Sequence, residues 1–144
     1  MKINIYADGG NKDSIKKYNK GKLIKGFTTN PSILKKAKVK SYKKFAIDLL
    51  RIVKKKPISF EITTDTNKEI YDQAKEISSW GKNVYVKIPI TNSRGVFMGK
   101  VIRELNNLNI KLNITAVYSA SQTKQILKNI NKKSKVIISI FAGR

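Results

Sequence analysis

The sequence predicts an α/β protein with a parallel sheet, because strand-like and helix-like segments alternate along its length. Six short runs are rich in Ile, Val, Phe and Tyr, as strands are; they are residues 2–6, 25–28, 57–62, 83–88, 111–115 and 135–140. Segments with helical periodicity lie between them, at residues 14–20, 42–53, 67–80, 95–107 and 121–131. The repeat of roughly 25 residues fits one strand followed by one helix.

In the first half of the chain, a short helix at 14–20 separates the first two strands. Residues 26–32, Gly-Phe-Thr-Thr-Asn-Pro-Ser, then predict a tight turn from strand to loop. The helix at 42–53 has the clearest pattern, because apolar side chains recur at helical spacing after Ser41, a suitable N-cap; they are Tyr42, Phe45, Ala46, Leu49 and Val53.

In the second half, the helix at 67–80 is predicted to end at Gly81, and a further helix covers 95–107. Their inward-facing stripes are Ile70, Ala74 and Ile77 in the first and Met98, Ile102 and Leu105 in the second. The last helix, at 121–131, is short. The strands between these helices are continuously apolar, as expected of parallel strands that helices cover.

Polar residues at the strand ends favour a closed barrel over a doubly wound sheet. They lie at or just past the C-terminal ends of different strands, where catalytic groups converge in (β/α)₈ barrels; they are Asp8, Thr28, Thr29, Asn30, Glu61, Lys87, Asn113, Thr115 and Ser139. No glycine-rich nucleotide-binding motif supports an open sheet. We therefore expect residues 1–144 to form a single domain, an incomplete TIM barrel of about six βα units.

Composition restricts the chemistry. The chain has no His and no Cys, so we expect no metal site, and catalysis must use Lys, Asp, Glu, Tyr, Ser or Thr. The net charge of +22 suggests a polyanion partner. Lys far outnumbers Arg, the residue that makes bidentate contacts to nucleic acid, so the composition speaks against a specific nucleic-acid surface. With no apolar run near the ~20 residues that cross a bilayer and no signal peptide, we expect a cytoplasmic protein.

Lys87 is the central catalytic candidate, because it lies inside the most apolar strand. Burial pushes an amine toward its neutral form, which attacks carbonyls; the alternative is a lysine that extends into solvent. Asp8 and Glu61 fall on two other strands predicted to be buried, although the chain has only nine carboxylates. A structural ion pair with Lys87 needs one carboxylate, whereas two suit a catalytic amine with separate acid and base groups. Arg144, beyond the sixth strand, suits a phosphate.

Five collinear segments together resemble the transaldolase family, in particular its small subfamily, which also contains fructose-6-phosphate aldolase. They are residues 26–32, already quoted; 58–61, Ile-Ser-Phe-Glu; 84–89, Val-Tyr-Val-Lys-Ile-Pro; 111–116, Lys-Leu-Asn-Ile-Thr-Ala; and 139–144, Ser-Ile-Phe-Ala-Gly-Arg. The resemblance covers essentially the whole chain and implies a barrel of the class I aldolase type. Because relatives continue for two further βα units, it also implies exposed edges on the first and sixth strands.

The resemblance implies a role for each matching residue. Lys87 matches the Schiff-base lysine, and Asp8 matches the aspartate that handles the proton of the substrate C4 hydroxyl. Glu61 matches the acid that works through a water during imine formation, and Thr115 matches a residue that helps to hold this water. Substrate contacts are implied at Thr28, Asn30, Asn113, Ser139 and Phe141, and a phosphate contact at Arg144.

The implied reaction transfers a dihydroxyacetone unit between sugar phosphates of the pentose phosphate pathway, without a cofactor. Its substrates are fructose 6-phosphate, sedoheptulose 7-phosphate, glyceraldehyde 3-phosphate and erythrose 4-phosphate. The aldolase branch, which releases free dihydroxyacetone, has Gln where this chain has Glu61, which favours transaldolase. An inactive barrel fragment and a basic polyanion-binding protein are the remaining alternatives, and a homo-oligomer stays open.

Overall fold

The computed structural model describes residues 3–36 and 38–142. The strands are β1 (Ile5–Asp8), β2 (Ile24–Thr28), β3 (Ile58–Glu61), β4 (Val84–Pro89), β5 (Leu112–Val117) and β6 (Val136–Ile140). The helices are α1 (Lys12–Lys20), α2 (Pro31–Lys36), α3 (Tyr42–Ile52), α4 (Asn67–Ser79), α5 (Gly99–Asn107) and α6 (Ala120–Leu127). None of the helices so described is long and apolar enough to cross a membrane.

The strands follow one another in the sheet in chain order, from β1 to β6. The pairs β1–β2, β2–β3, β4–β5 and β5–β6 are all parallel. A doubly wound sheet reverses its order at a switch point, whereas sequential parallel strands joined by helices are typical of (β/α)₈ barrels. The predicted class is therefore confirmed: this is an α/β fold of the TIM-barrel type, incomplete, with six strands.

Backbone contacts divide the chain into two compact units, the first of residues 1–61 and 80–84 and the second of residues 62–79 and 85–144. In the first unit, Asp8 lies opposite Thr28 and Thr28 lies opposite Ser59 at the strand ends. Helix α1 packs against α3. In the second unit, α4 packs against α5 and α5 packs against α6.

The predicted apolar stripes account for much of the core of each unit. In the first unit, α3 begins after its predicted cap, Ser41, whose hydroxyl accepts a hydrogen bond from the Lys44 amide. The buried side chains of α3 are the predicted Phe45, Ala46 and Leu49. In the second unit, all the predicted inward residues of α4 and α5 are buried: Ile70, Ala74, Ile77, Met98, Ile102 and Leu105. Each large apolar side chain contributes roughly 1.5–3 kcal/mol by burial.

Helix α2 is absent from the sequence prediction, which assigned residues 26–32 to a turn. The strand ends at Thr28, and the chain enters a helix at Pro31. The side-chain oxygen of Asn30 accepts a hydrogen bond of 2.9 Å from the Ile33 amide and so caps this helix. Pro31 occupies the first helical position, where a missing N–H costs nothing.

Two predicted helices differ from the structure by four residues at one end, more than the one or two residues by which the other predicted helices differ. Helix α5 begins at Gly99 rather than at residue 95, because the side chain of Asn92 accepts hydrogen bonds from the amides of Arg94 and Val96 and holds a turn there. Helix α6 ends at Leu127 rather than at residue 131. Beyond it, the Asn131 amide donates to the side chain of Asn106 instead of continuing the helix.

The prediction that Asp8 lies on a buried strand is wrong. Strand β1 is exposed, with Ile5 44% accessible, and Asp8 itself is exposed. Of the two strands at the ends of the sheet order, β1 is mostly exposed and β6 is only half-buried, whereas the strands between them are largely buried. The burial of β1 depends on the strands and helices that pack beside it, and the residues of β1 alone do not predict these neighbours.

Candidate active site

Lys87 is a buried lysine in the middle of an apolar strand. The residue is 8% exposed, and its neighbours Val86 and Ile88 are fully buried. The β-branched residues of β4 favour an extended backbone, in which alternate side chains point to opposite faces. Lys87 lies opposite Asn113 of β5. Because opposed residues of parallel strands point the same way, these two side chains share one face of the sheet.

Asn113, Thr115 and Ser139 form the polar surroundings on that face. The Ser139 hydroxyl donates a hydrogen bond of 2.7 Å to the side-chain oxygen of Asn113, which is 1% exposed. Thr115 lies two residues further along β5 and is 2% exposed. Its hydroxyl oxygen is buried without a hydrogen-bond partner among residues 3–36 and 38–142. An unpaired buried hydroxyl costs about 1–3 kcal/mol, so it calls for an explanation such as a bound water or ligand.

The backbone changes direction directly after Thr115. Ala116 adopts a φ of +57°, in the left-handed region, where the β5–β6 register shifts between Ile114 and Val117. This conformation costs a residue with a Cβ roughly 1–2 kcal/mol. Bulges of this kind re-aim side chains beside functional sites, and no feature of the sequence identified this one.

Phe141 follows β6 and packs against Tyr118, with ring centroids 5.3 Å apart in an edge-on arrangement. Its amide donates to the Val117 carbonyl, which holds the chain beside the end of β5. Phe141 is half-buried. Arg144, the predicted phosphate ligand, lies outside the described residues.

In the first unit, Asp8 and Thr28 occupy the ends of adjacent strands. They are paired in register, and the next amide, that of Gly9, donates to the Thr28 carbonyl at 3.0 Å. Thr28 is half-buried and Asp8 is exposed. Asn30, a predicted substrate contact, is the N-cap of α2; the cap uses only its side-chain oxygen and does not involve its NH₂ group.

Glu61 ends β3 and is half-buried. Its backbone contacts Tyr42, a partner that the sequence analysis did not identify. The Tyr42 hydroxyl donates a hydrogen bond of 2.8 Å to the Glu61 carbonyl. Burial raises the pKa of the Tyr42 phenol, and the negative charge of Glu61 raises it further. Tyr42 was assigned to the apolar stripe of α3, and nothing local to it indicates a partner 19 residues away.

The structure thus brings together four predicted residues in the second unit, namely Lys87, Asn113, Thr115 and Ser139. Asp8, Thr28, Asn30 and Glu61 belong to the first unit. Within the described part of the chain, no three carboxylates cluster as a metal site would require.

A separate cleft of about 510 Å³ lies in the first unit, between the start of α1 and the start of α3. Its lining includes Lys12, Lys40, Lys44 and Asp48, but none of the predicted site residues. Lys12 is paired there with Asp48.

Comparison with known proteins identifies a single family. Residues 5–144 match the family described as Transaldolase/Fructose-6-phosphate aldolase. Proteins named probable transaldolase are 32% identical in Nitrosopumilus maritimus, over 99% of this chain and 60% of theirs, and 34% identical in Clostridium kluyveri, over 99% and 61%. A third, from Dehalococcoides mccartyi, is 32% identical over 83% of this chain and 54% of its own. The chain therefore spans between 54% and 61% of the length of these relatives.

Proposed function

Since the chain belongs to the transaldolase/fructose-6-phosphate aldolase family, we propose that Lys87 forms a Schiff base with a ketose phosphate and transfers its dihydroxyacetone unit to an aldose phosphate. The observation that carries the proposal is the buried amine of Lys87 opposite Asn113, on the strand face that also holds the unpaired hydroxyl of Thr115. Covalent catalysis needs an amine held beside the substrate in a pocket that shields it from bulk water, and the buried strand position of Lys87 suits that role.

Imine formation is the first step. The Lys87 amine attacks the C2 carbonyl of fructose 6-phosphate or sedoheptulose 7-phosphate, and the carbinolamine loses water to give the imine. Glu61 moves the protons of this step through a water, and the Thr115 hydroxyl holds that water. The unpaired state of the Thr115 oxygen supports this role, because the hydroxyl has no described protein partner to give up.

Bond cleavage and transfer follow. Asp8 takes the proton of the C4 hydroxyl, the C3–C4 bond breaks, and its electron pair moves into the imine to leave an enamine on Lys87. Glyceraldehyde 3-phosphate or erythrose 4-phosphate departs as the aldehyde. The enamine then adds to the other aldehyde, and hydrolysis frees Lys87. Asn113 and Ser139 contact the hydroxyls of the bound unit, with Thr28, Asn30 and Phe141 as further contacts and Arg144 as a phosphate ligand.

Transfer is favoured over release of free dihydroxyacetone because residue 61 is Glu. The aldolase branch of the family has Gln at the matching position. A carboxylate supplies acid–base catalysis that an amide does not. Incubation with fructose 6-phosphate, with and without erythrose 4-phosphate, separates the two reactions. Transfer requires the acceptor, and dihydroxyacetone produced at the same rate without it would establish the aldolase instead.

Reductive trapping tests the Schiff base directly. The protein is incubated with fructose 6-phosphate and borohydride, and intact mass and peptide mapping then locate any adduct. We expect one adduct, on Lys87, and none on Lys87→Met. Because the chain has many lysines that sugars modify slowly, Lys111→Met is the matched control, since Lys111 is a half-buried lysine beside β5. An adduct that survives Lys87→Met, or wild-type protein without one, would overturn the proposal.

A further inference from the structure

The hydroxyl of Tyr42 connects the ends of two strands. It donates a hydrogen bond of 2.8 Å to the backbone carbonyl of Glu61 at the end of β3. The phenol oxygen also accepts a hydrogen bond from the side chain of Thr29, directly after β2, which lowers the pKa of Tyr42 and so opposes the effect of burial. One phenol at the first turn of α3 therefore holds the backbone from which the Glu61 carboxylate extends.

The surroundings keep this phenol fixed. The Tyr42 ring packs edge-on against Phe60, with centroids 6.2 Å apart, and against Trp80, at 5.6 Å. Phe60 and Trp80 also meet edge-on at 5.8 Å, so the three rings form a closed cluster. Burial raises the pKa of Tyr42, so its hydroxyl stays neutral and remains a donor across the neutral pH range.

Thr29 extends the same network. It is fully buried, and its amide and its hydroxyl both lie within hydrogen-bond distance of the Ser59 carbonyl, at 3.0 and 3.2 Å. Ser59 and Glu61 are two residues apart on β3. The segment from Ser59 to Glu61 is thus held at both ends, and Tyr42 supplies the contact at Glu61 itself.

We propose that Tyr42 is a positioning residue for Glu61, whose hydroxyl fixes the backbone at Glu61 and thereby the direction of the carboxylate during imine formation. The inference rests on the proposed function, because it assigns Glu61 to that step. Packing alone would need only the aromatic ring of Tyr42, whereas the hydroxyl makes contacts at the strand ends that phenylalanine could not make.

A double-mutant cycle separates positioning from packing. The rate of borohydride-trapped adduct formation from fructose 6-phosphate is measured for wild type, Tyr42→Phe, Glu61→Ala and the double variant. We expect Tyr42→Phe to slow trapping about fivefold, the equivalent of one net hydrogen bond, and Glu61→Ala to slow it on the order of 100-fold. Because Tyr42 acts through Glu61, Tyr42→Phe should cause no further loss in the Glu61→Ala background.

Two further variants keep the outcome decisive. Tyr71→Phe removes a hydroxyl from another half-buried tyrosine and should leave the rate unchanged. Thr29→Val removes a partner of the Tyr42 hydroxyl and should also slow trapping. It replaces Tyr42→Phe as the test if a thermal melt shows that Tyr42→Phe does not fold. If Tyr42→Phe slows trapping by the same factor in the wild-type and Glu61→Ala backgrounds, the positioning role is wrong. The same holds if neither Tyr42→Phe nor Thr29→Val changes the trapping rate. Both outcomes would leave the proposed function intact. Wild type without any adduct would overturn the proposed function as well.

Discussion

The Ser139 hydroxyl lies 2.7 Å from the side-chain oxygen of Asn113, which in turn lies opposite Lys87 in the sheet. An amide oxygen can only accept, so the Ser139 hydroxyl is the donor in this pair. The NH₂ group of Asn113 therefore points away from Ser139. We predict that Ser139→Ala removes one of the hydrogen bonds that orient this amide. The fructose 6-phosphate concentration for half-maximal trapping should rise about 3- to 10-fold, the effect of one neutral hydrogen bond.

Ser134→Ala is the matched control for that prediction. The Ser134 hydroxyl also donates a hydrogen bond of 2.8 Å, to the Ile110 carbonyl, but it lies before β6 rather than at its C-terminal end. Its loss should lower stability without changing the half-maximal concentration. An equal increase in both variants would mean that Ser139 acts through the stability of β6 and not through Asn113.

Asp65 provides a dependence of stability on pH. Its carboxylate accepts hydrogen bonds from the hydroxyl of Ser93 at 2.7 Å and from the Ser93 amide at 2.8 Å, and these bonds lower the pKa of Asp65. A group with a lowered pKa in the folded state stabilises the fold above its unfolded value, about 3.9, and this contribution is lost as the pH falls further.

We therefore predict that Asp65→Asn lowers the urea midpoint of unfolding at pH 7. The difference in urea midpoint between this variant and wild type should be smaller at pH 3. Ser93→Ala, which removes the hydroxyl donor and leaves the carboxylate, should produce the same narrowing to a smaller extent. A gap between wild type and Asp65→Asn that is as wide at pH 3 as at pH 7 would contradict this prediction.

Lys56 caps the end of helix α1. Its ammonium group donates to the carbonyls of Tyr18, Asn19 and Gly21, at 3.3, 2.9 and 2.8 Å. A cation there also opposes the negative end of the helix dipole. We predict that Lys56→Met lowers the free energy of unfolding by about 1.5–3 kcal/mol, the range for hydrogen bonds that involve a charged group.

Urea unfolding measures this loss, and Lys55→Met is the control, since it makes the same change at the exposed neighbouring position. The control should stay within about 0.5 kcal/mol of wild type, as surface substitutions usually do. Equal losses in both variants would assign the effect to net charge rather than to the cap.

The sequence predicted the features that depend on local pattern. Strand composition and helical spacing predicted the α/β class. The buried positions of Ile70 on α4 and of Ile102 and Leu105 on α5 followed from the apolar face of each helix. The strand position of Lys87 was also predicted, because an ionisable residue stands out in an apolar run. These signals lie within a few residues of the feature that they predict.

Features that depend on distant partners were missed. Asp8 was expected to be buried, but its exposure is set by the place of β1 in the sheet order and not by its composition. Tyr42 fits an apolar stripe, and only the fold brings its hydroxyl to Glu61. Helix α2 differs in kind, because its signals, Asn at the cap and Pro at the first helical position, were present in the sequence and were taken for a turn.

A residue with a left-handed backbone follows helix α2. Lys38 adopts a φ of +51°, while its amide bonds to the Lys35 carbonyl and the Val39 amide bonds to the Leu34 carbonyl. This is the Schellman arrangement, whose left-handed position normally belongs to glycine. We predict that Lys38→Gly raises the free energy of unfolding by about 1 kcal/mol, because it removes the Cβ penalty. Lys35→Gly makes the same change within the helix, where glycine is unfavourable, and should lower it by about 1 kcal/mol. Urea unfolding measures both changes. Each variant loses one charge and one lysine side chain, so an effect of that loss would change the free energy of unfolding in the same direction in both, whereas the backbone effect changes it in opposite directions.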